Sequence, residues 1–206
     1  MDELFRLTEN THRVAVQLGD RWATAVGAQA RRIQSPENLR VTVPDQWLQV
    51  VALHHVLVAA QMTRKYAPVA AMKPRIDSAI NEFLNAIVIG RGPGMNQREA
   101  IALARDVLEH FDEYYCGTGK LQKREQAADP SLSKEDLALR YRPSLGLAGR
   151  TALRIGPDPP ADPLVEIELA SIAPKAARQL VEELAAIVGV DVLAGFGSTP
   201  LRSTGA

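Results

Sequence analysis

Arg105, Asp106 and His110 fall in one short stretch, Arg105-Asp106-Val107-Leu108-Glu109-His110. Their side chains are those of a phosphate-directed acid–base site. An imidazole takes or gives a proton near neutral pH, and a guanidinium offers a planar fork of N–H donors to a phosphate. If the stretch is helical, Asp106 and His110 lie four apart on one face, where the carboxylate would orient the imidazole and raise its basicity. The chemistry this suits is metal-independent RNA cleavage: His110 as general acid or base, Asp106 as its orienter, Arg105 as the phosphate clamp. A plainer reading is an exposed surface on which Arg105 pairs with Glu109 and His110 tops the helix, where a cation is favoured.

Other chemistry-bearing residues point less far. Glu9 and His12 make half of a di-iron carboxylate pattern, but a second Glu-x-x-His pair is lacking. His54 and His55 sit inside an apolar run and are read as core histidines, with His55 able to face a site. Gly119-Lys120 resembles the end of a phosphate loop, but Tyr114 stands where its first glycine should be and Leu121 where a hydroxyl should be. Gly90 to Gly94 has the glycines of a phosphate loop after Ala86-Ile87-Val88-Ile89. The preceding period is near 3.6, so Gly90 is read as a helix C-cap and the rest as a turn. No nucleophile elbow is present.

The elements that must carry these residues are mostly helices. Aromatics make up 5% of the chain, and the apolar mass is Ala, Val and Leu, which favours helix packing over a β sandwich. Lysines and arginines number 24, as do aspartates and glutamates, so the basic excess of a dedicated nucleic-acid binder is missing. The single cysteine, Cys116, excludes an internal disulfide, and neither a metal nor a cofactor is expected. The apolar run from Trp47 to Met62 is too short to span a bilayer, and the acidic first residues do not resemble a signal peptide. A cytoplasmic protein without a membrane segment is expected.

A first helix is expected over Asp2–Ile33, with a heptad-like stripe of Leu4, Leu7, Val14, Leu18 and Ala25 that Thr11 and Arg21 interrupt. Ser35-Pro36 opens a loop, with a short extended piece at Leu39-Arg40-Val41. A second helix runs from Asp45 to Tyr66, apolar on nearly every side and hence central to a bundle. A third spans Pro74–Ile89. Asn96, with Glu99 three residues on, caps a fourth that ends near Gly117 and Gly119. Lys120 to Pro130 reads as charged and mobile, and Ser133 starts a short helix ending near Arg142-Pro143. The period then shifts to two. Strands are expected at Thr151–Ile155, Leu164–Leu169 and Val190–Leu193, with a helix over Pro174–Val188 against which Val165, Ile167 and Leu169 pack. The expected fold is mainly α: a helical bundle over 1–143, a small α/β module of β-hairpin plus helix over 144–196, and a disordered tail over 197–206.

Arg105 followed by Asp106 and, after four intervening residues, His110, on a helix behind two apolar ones, resembles the Arg-x(4–6)-His motif of the HEPN superfamily. The resemblance covers about residues 45–122, with the N-terminal helix as a further bundle member. It implies a helical protein of a bacterial defence or toxin–antitoxin system, acting as a metal-independent endoribonuclease with Arg105, Asp106 and His110 as catalytic residues. Asp112, not a tyrosine, stands two residues after His110, and Glu109 and Asp112 would repel an RNA backbone. An inactive RNA- or nucleotide-binding relative is therefore also implied. Arg105 and His110 are five apart, about 140° around a helix, so a site built from both is expected to need a homodimer. The alternative is a non-enzymatic helical protein that docks a partner encoded nearby. A nucleotide-binding enzyme using Gly90 to Gly94 comes third.

Overall fold

The computed structural model describes residues 2–34, 43–145, 152–157 and 162–191. Two long helices open the chain, α1 (Asp2–Gln34) and α2 (Val43–Lys65). They run antiparallel: Arg32 pairs with Asp45 at 2.9 Å, and Trp22 stacks on His55. Gly19 is what lets them close together. A Cβ there would already touch Ala59 of α2 and Val181, each at 3.4 Å.

Next come α3 (Met72–Ile87), β1 (Val88–Arg91), α4 (Gln97–Glu109), α5 (Phe111–Tyr115), α6 (Lys120–Ala128) and α7 (Lys134–Arg140). The chain ends in β2 (Pro143–Leu145), β3 (Ala152–Ile155), β4 (Val165–Glu168) and α8 (Ala173–Val188). The protein is thus mainly α with a small antiparallel sheet, ordered β1-β4-β3-β2.

Several expectations change. Val88 and Ile89 do not extend α3, and Gly90 is not its cap. They form β1, which pairs with β4 through Val88↔Ile167 and Arg91↔Val165. A β-branched pair at a helix end takes the extended state when a partner strand is offered, and that partner lies some seventy residues ahead.

Lys120 to Pro130, expected to be mobile, holds α6, because Gln122 is fully buried beneath it. Its Nε2 donates to the carbonyl oxygens of Tyr114 and Leu137, both at 2.9 Å, and its Oε1 accepts the Gly119 N–H at 2.7 Å. Helix α2 begins at Val43 rather than Asp45, and Pro143 to Leu145, where no strand was expected, form β2. Val190 and Asp191 are not in a strand. Leu39–Val41, residues 192 and 193 and the tail 197–206 lie outside the described residues.

The change of composition after Pro143 is not a division of the core. Helix α8 lies against α1, α3 and α2. Arg178 pairs with Asp20 and donates to Thr24 Oγ1 at 3.0 Å. Gln49 of α2 donates to the Leu169 carbonyl oxygen at 2.8 Å. Val16, Leu53, Ile80, Val107, Ile167 and Val181 belong to one buried apolar cluster. The expected units 1–143 and 144–196 therefore share their interior.

Candidate functional site

Helix α4 carries the motif, and its start is fixed as the sequence indicates. The Asn96 side chain accepts from the Glu99 N–H at 3.0 Å, and the Glu99 carboxylate accepts from the Asn96 N–H at 2.8 Å. Ala100, Ile101, Leu103, Ala104, Val107 and Leu108 turn inward. Arg105 and Asp106 are left half-buried, with Glu109 and His110 on the rim.

The pairing within the motif is not the expected one. Asp106 does not orient His110; its Oδ2 accepts a 2.6 Å hydrogen bond from the Tyr114 hydroxyl. The cause is a break in the helix. His110 leaves α4 at φ −115°, ψ 39°, and α5 restarts at Phe111. Tyr114 then swings inward over Asp106. The His110 side chain is 53% exposed, with Nδ1 3.7 Å from a Glu113 carboxylate oxygen. Arg105 Nη2 lies 2.6 Å from Glu109 Oε2, and this bond raises the pKa of an already cationic group. The structure thus gathers Arg105 with Glu109 and Asp106 with Tyr114, and leaves His110 apart.

The imidazole that does stand by Arg105 is His54, which the sequence reading left in the core. It sits on α2, which packs on α4. Burial lowers its pKa first, the Arg105 charge second and His55 third, while Glu109 opposes them. His54 Nδ1 and Arg105 Nε are both buried without a hydrogen-bond partner among the described residues. His55 Nδ1 donates to the Val51 carbonyl oxygen at 2.8 Å, and its ring stacks on Trp22 at 4.3 Å. The available signal was a histidine doublet in a run without a charged residue, which names two imidazoles but not their neighbour.

A second polar assembly joins α4 to α7. Tyr114 and Tyr141 face each other at 5.4 Å, and the Tyr141 hydroxyl donates to Glu125 at 2.7 Å. Arg140 binds the other oxygen of Glu125 at 2.7 Å. Burial first, then the carboxylate bond, raises the pKa of both phenols, keeping them as donors. Beside them opens a cleft of about 450 Å³, lined by Tyr114, Tyr115, Leu139, Tyr141 and Pro143.

Gly90 to Gly94 does lie between a strand and a helix, contrary to the sequence reading. The strand is an antiparallel edge, and Gly92 N–H is spent on the Leu164 carbonyl oxygen at 2.9 Å. The Asn96–Glu99 box places a carboxylate at the start of α4, where a phosphate would dock. Among the described residues, no three His, Cys, Asp or Glu side chains are grouped so as to hold a metal ion, and no helix is long and apolar enough to cross a membrane. No family model, curated protein or solved structure matches the chain.

Proposed function

We propose that this chain is a helical interaction protein, docking another helix pair through the outer side of α1 and α2. One observation carries the reading. No charged residue occurs from Trp47 to Met62, yet Leu48 is 40% exposed and Val58 and Met62 are each 37% exposed. A helix apolar on every side is stable in water when every side is covered. The motif residues support the same reading, since Arg105 and Asp106 are spent on Glu109 and Tyr114. Purified protein, with chelator present, should leave single-stranded and hairpin RNAs intact. Cleavage that disappears in Arg105→Ala would overturn this reading.

A second reading is a HEPN-like protein of a bacterial defence or toxin–antitoxin system, cleaving or binding RNA without a metal. The neighbourhood of Arg105 and His54, each with an unpartnered buried nitrogen, favours it. In that case His54 replaces His110 as the general acid or base, because it is the imidazole within the field of the guanidinium. The two readings separate on His54→Ala, which abolishes RNA cleavage only under the second.

A further inference from the structure

We propose that the α1–α2 hairpin pairs face to face with the same hairpin of a second copy of this chain, about a two-fold axis, forming a four-helix layer. The proposal rests on the interaction reading and names its partner.

The basis is a second apolar seam on each helix. On α1, Val16, Gly19, Ala23, Val26, Ala30 and Ile33 are spaced alternately by three and four, and they are buried. Val14 and Leu18, 50% and 44% exposed, lie on the opposite side. They belong to a run of the same spacing that includes Leu4, Leu7, Thr11 and Ala25, with the exposed Arg21 interrupting it. On α2 the buried set Val50, Leu53, Leu57 and Ala60 is matched outside by Leu48, Val51, His55, Val58 and Met62, again alternating three and four. A seven-residue apolar repeat is the signature of a seam between supercoiled helices. The inner seams are already used within the chain, whereas the outer ones face away from it.

The outer face has the relief such a seam needs. Between the two helices runs a groove of about 150 Å³, walled by Val14, Leu18, Trp22, His55, Val58 and Met62. Val14 and Leu18 form one ridge beside it, Val58 and Met62 the other. Groove and ridges lie on the same face, so a two-fold rotation sets each copy's ridge over the partner's groove, the self-complementarity an isologous contact requires.

The size also suits a second copy. Helices about 10 Å across and seams of about 27 Å give a face of about 500 Å² in flat projection per copy, before corrugation is added. That approaches the roughly 800 Å² per partner of a standard interface. The pairs Trp22–His55 and Arg32–Asp45 place the end of α2, Lys65, opposite about His12. The first turns of α1 therefore project past the end of α2. This face is not the motif helix α4, through which the family resemblance implies a dimer.

The test is the solution mass of the full chain by light scattering at micromolar concentration. Wild type should show the mass of two chains. Leu18→Glu and Val58→Glu should each halve it, with the circular dichroism spectrum unchanged because both side chains are exposed. Ala102→Glu, exposed on α4, should keep the two-chain mass. A one-chain mass for wild type overturns the proposal, as does a two-chain mass that survives both glutamates. The underlying interaction reading fails separately, by RNA cleavage that Arg105→Ala abolishes.

Discussion

Gln122 shows how much one amide can hold. It joins the end of α5, the start of α6 and the end of α7, and its three bonds go to backbone groups that water does not reach. Gln122→Leu keeps the bulk but leaves the Gly119 N–H without its acceptor, while the two carbonyls keep the N–H groups of Gly117 and Tyr141, so chemical denaturation should show a loss of about 1–3 kcal/mol. The neighbouring turn is as exacting. Gly117 has φ +68°, and a Cβ would meet the Lys134 carbonyl oxygen at 2.3 Å, so Gly117→Ala should cost about 2 kcal/mol or more. None of this was legible, because a charged run after two glycines reads the same whether or not one of its two glutamines turns inward. The site shows a similar limit. Arg105–Glu109 follows from helical spacing alone, but Asp106–Tyr114 depends on a break at His110, and His54 comes from another helix. For His54 a proton titration by NMR should give a midpoint below the free imidazole value of about 6.5, since burial and Arg105 both disfavour the charged ring. Glu109→Gln, which removes the opposing carboxylate, should lower that midpoint further.

Among the elements, α8 depends most on a single side chain from outside itself. The Glu168 carboxylate, at the end of β4, accepts from the N–H groups of Ala170, Ser171, Ile172 and Ala173 and from the Ser171 hydroxyl, at 2.6–3.1 Å. Burial works against its charge, yet these donors outweigh burial and hold its pKa below the usual glutamate range. A lowered folded pKa stabilises the fold fully above the unfolded value, and that contribution fades as pH falls through the folded one. Denaturant unfolding from pH 7 down to about 3 should therefore lose stability more steeply in wild type than in Glu168→Gln. The variant itself should be weaker at neutral pH by about 2–3 kcal/mol. Elements announced by a cap were readable: Asn96–Glu99 for α4, Ser133–Asp136 for α7 and Pro174 for α8. Strand β1 was not, because its pairing partner, not its own period, decides its state.

For the whole molecule, the helical class and the small sheet follow from composition and period, whereas the shared interior does not. Periodicity tells which face of a helix is apolar and is silent on what covers it. So α2 was read as central to a bundle, yet one side of it is open, and the terminal helix was read as part of a module, yet Val181 and Leu184 belong to the buried cluster of α1 to α3. A chain cut after Pro143 should accordingly lose cooperative thermal unfolding and bind hydrophobic dye. A sharp transition in that truncated chain would show that the first 143 residues hold a core of their own.

The position of α8 also sets a timetable for synthesis. Its place against α1 and α3 is ready once Ile87 has left the ribosome, but Val188 follows roughly one hundred residues later, a delay of about 5–20 s. Over that interval Gly19, Ala79 and Phe83 face an unfilled slot, and for most of it β1 has no strand to join. The nascent chain is then most open to a chaperone or to a neighbouring polysome product, until α8 emerges and completes the packing begun by α1 and α3.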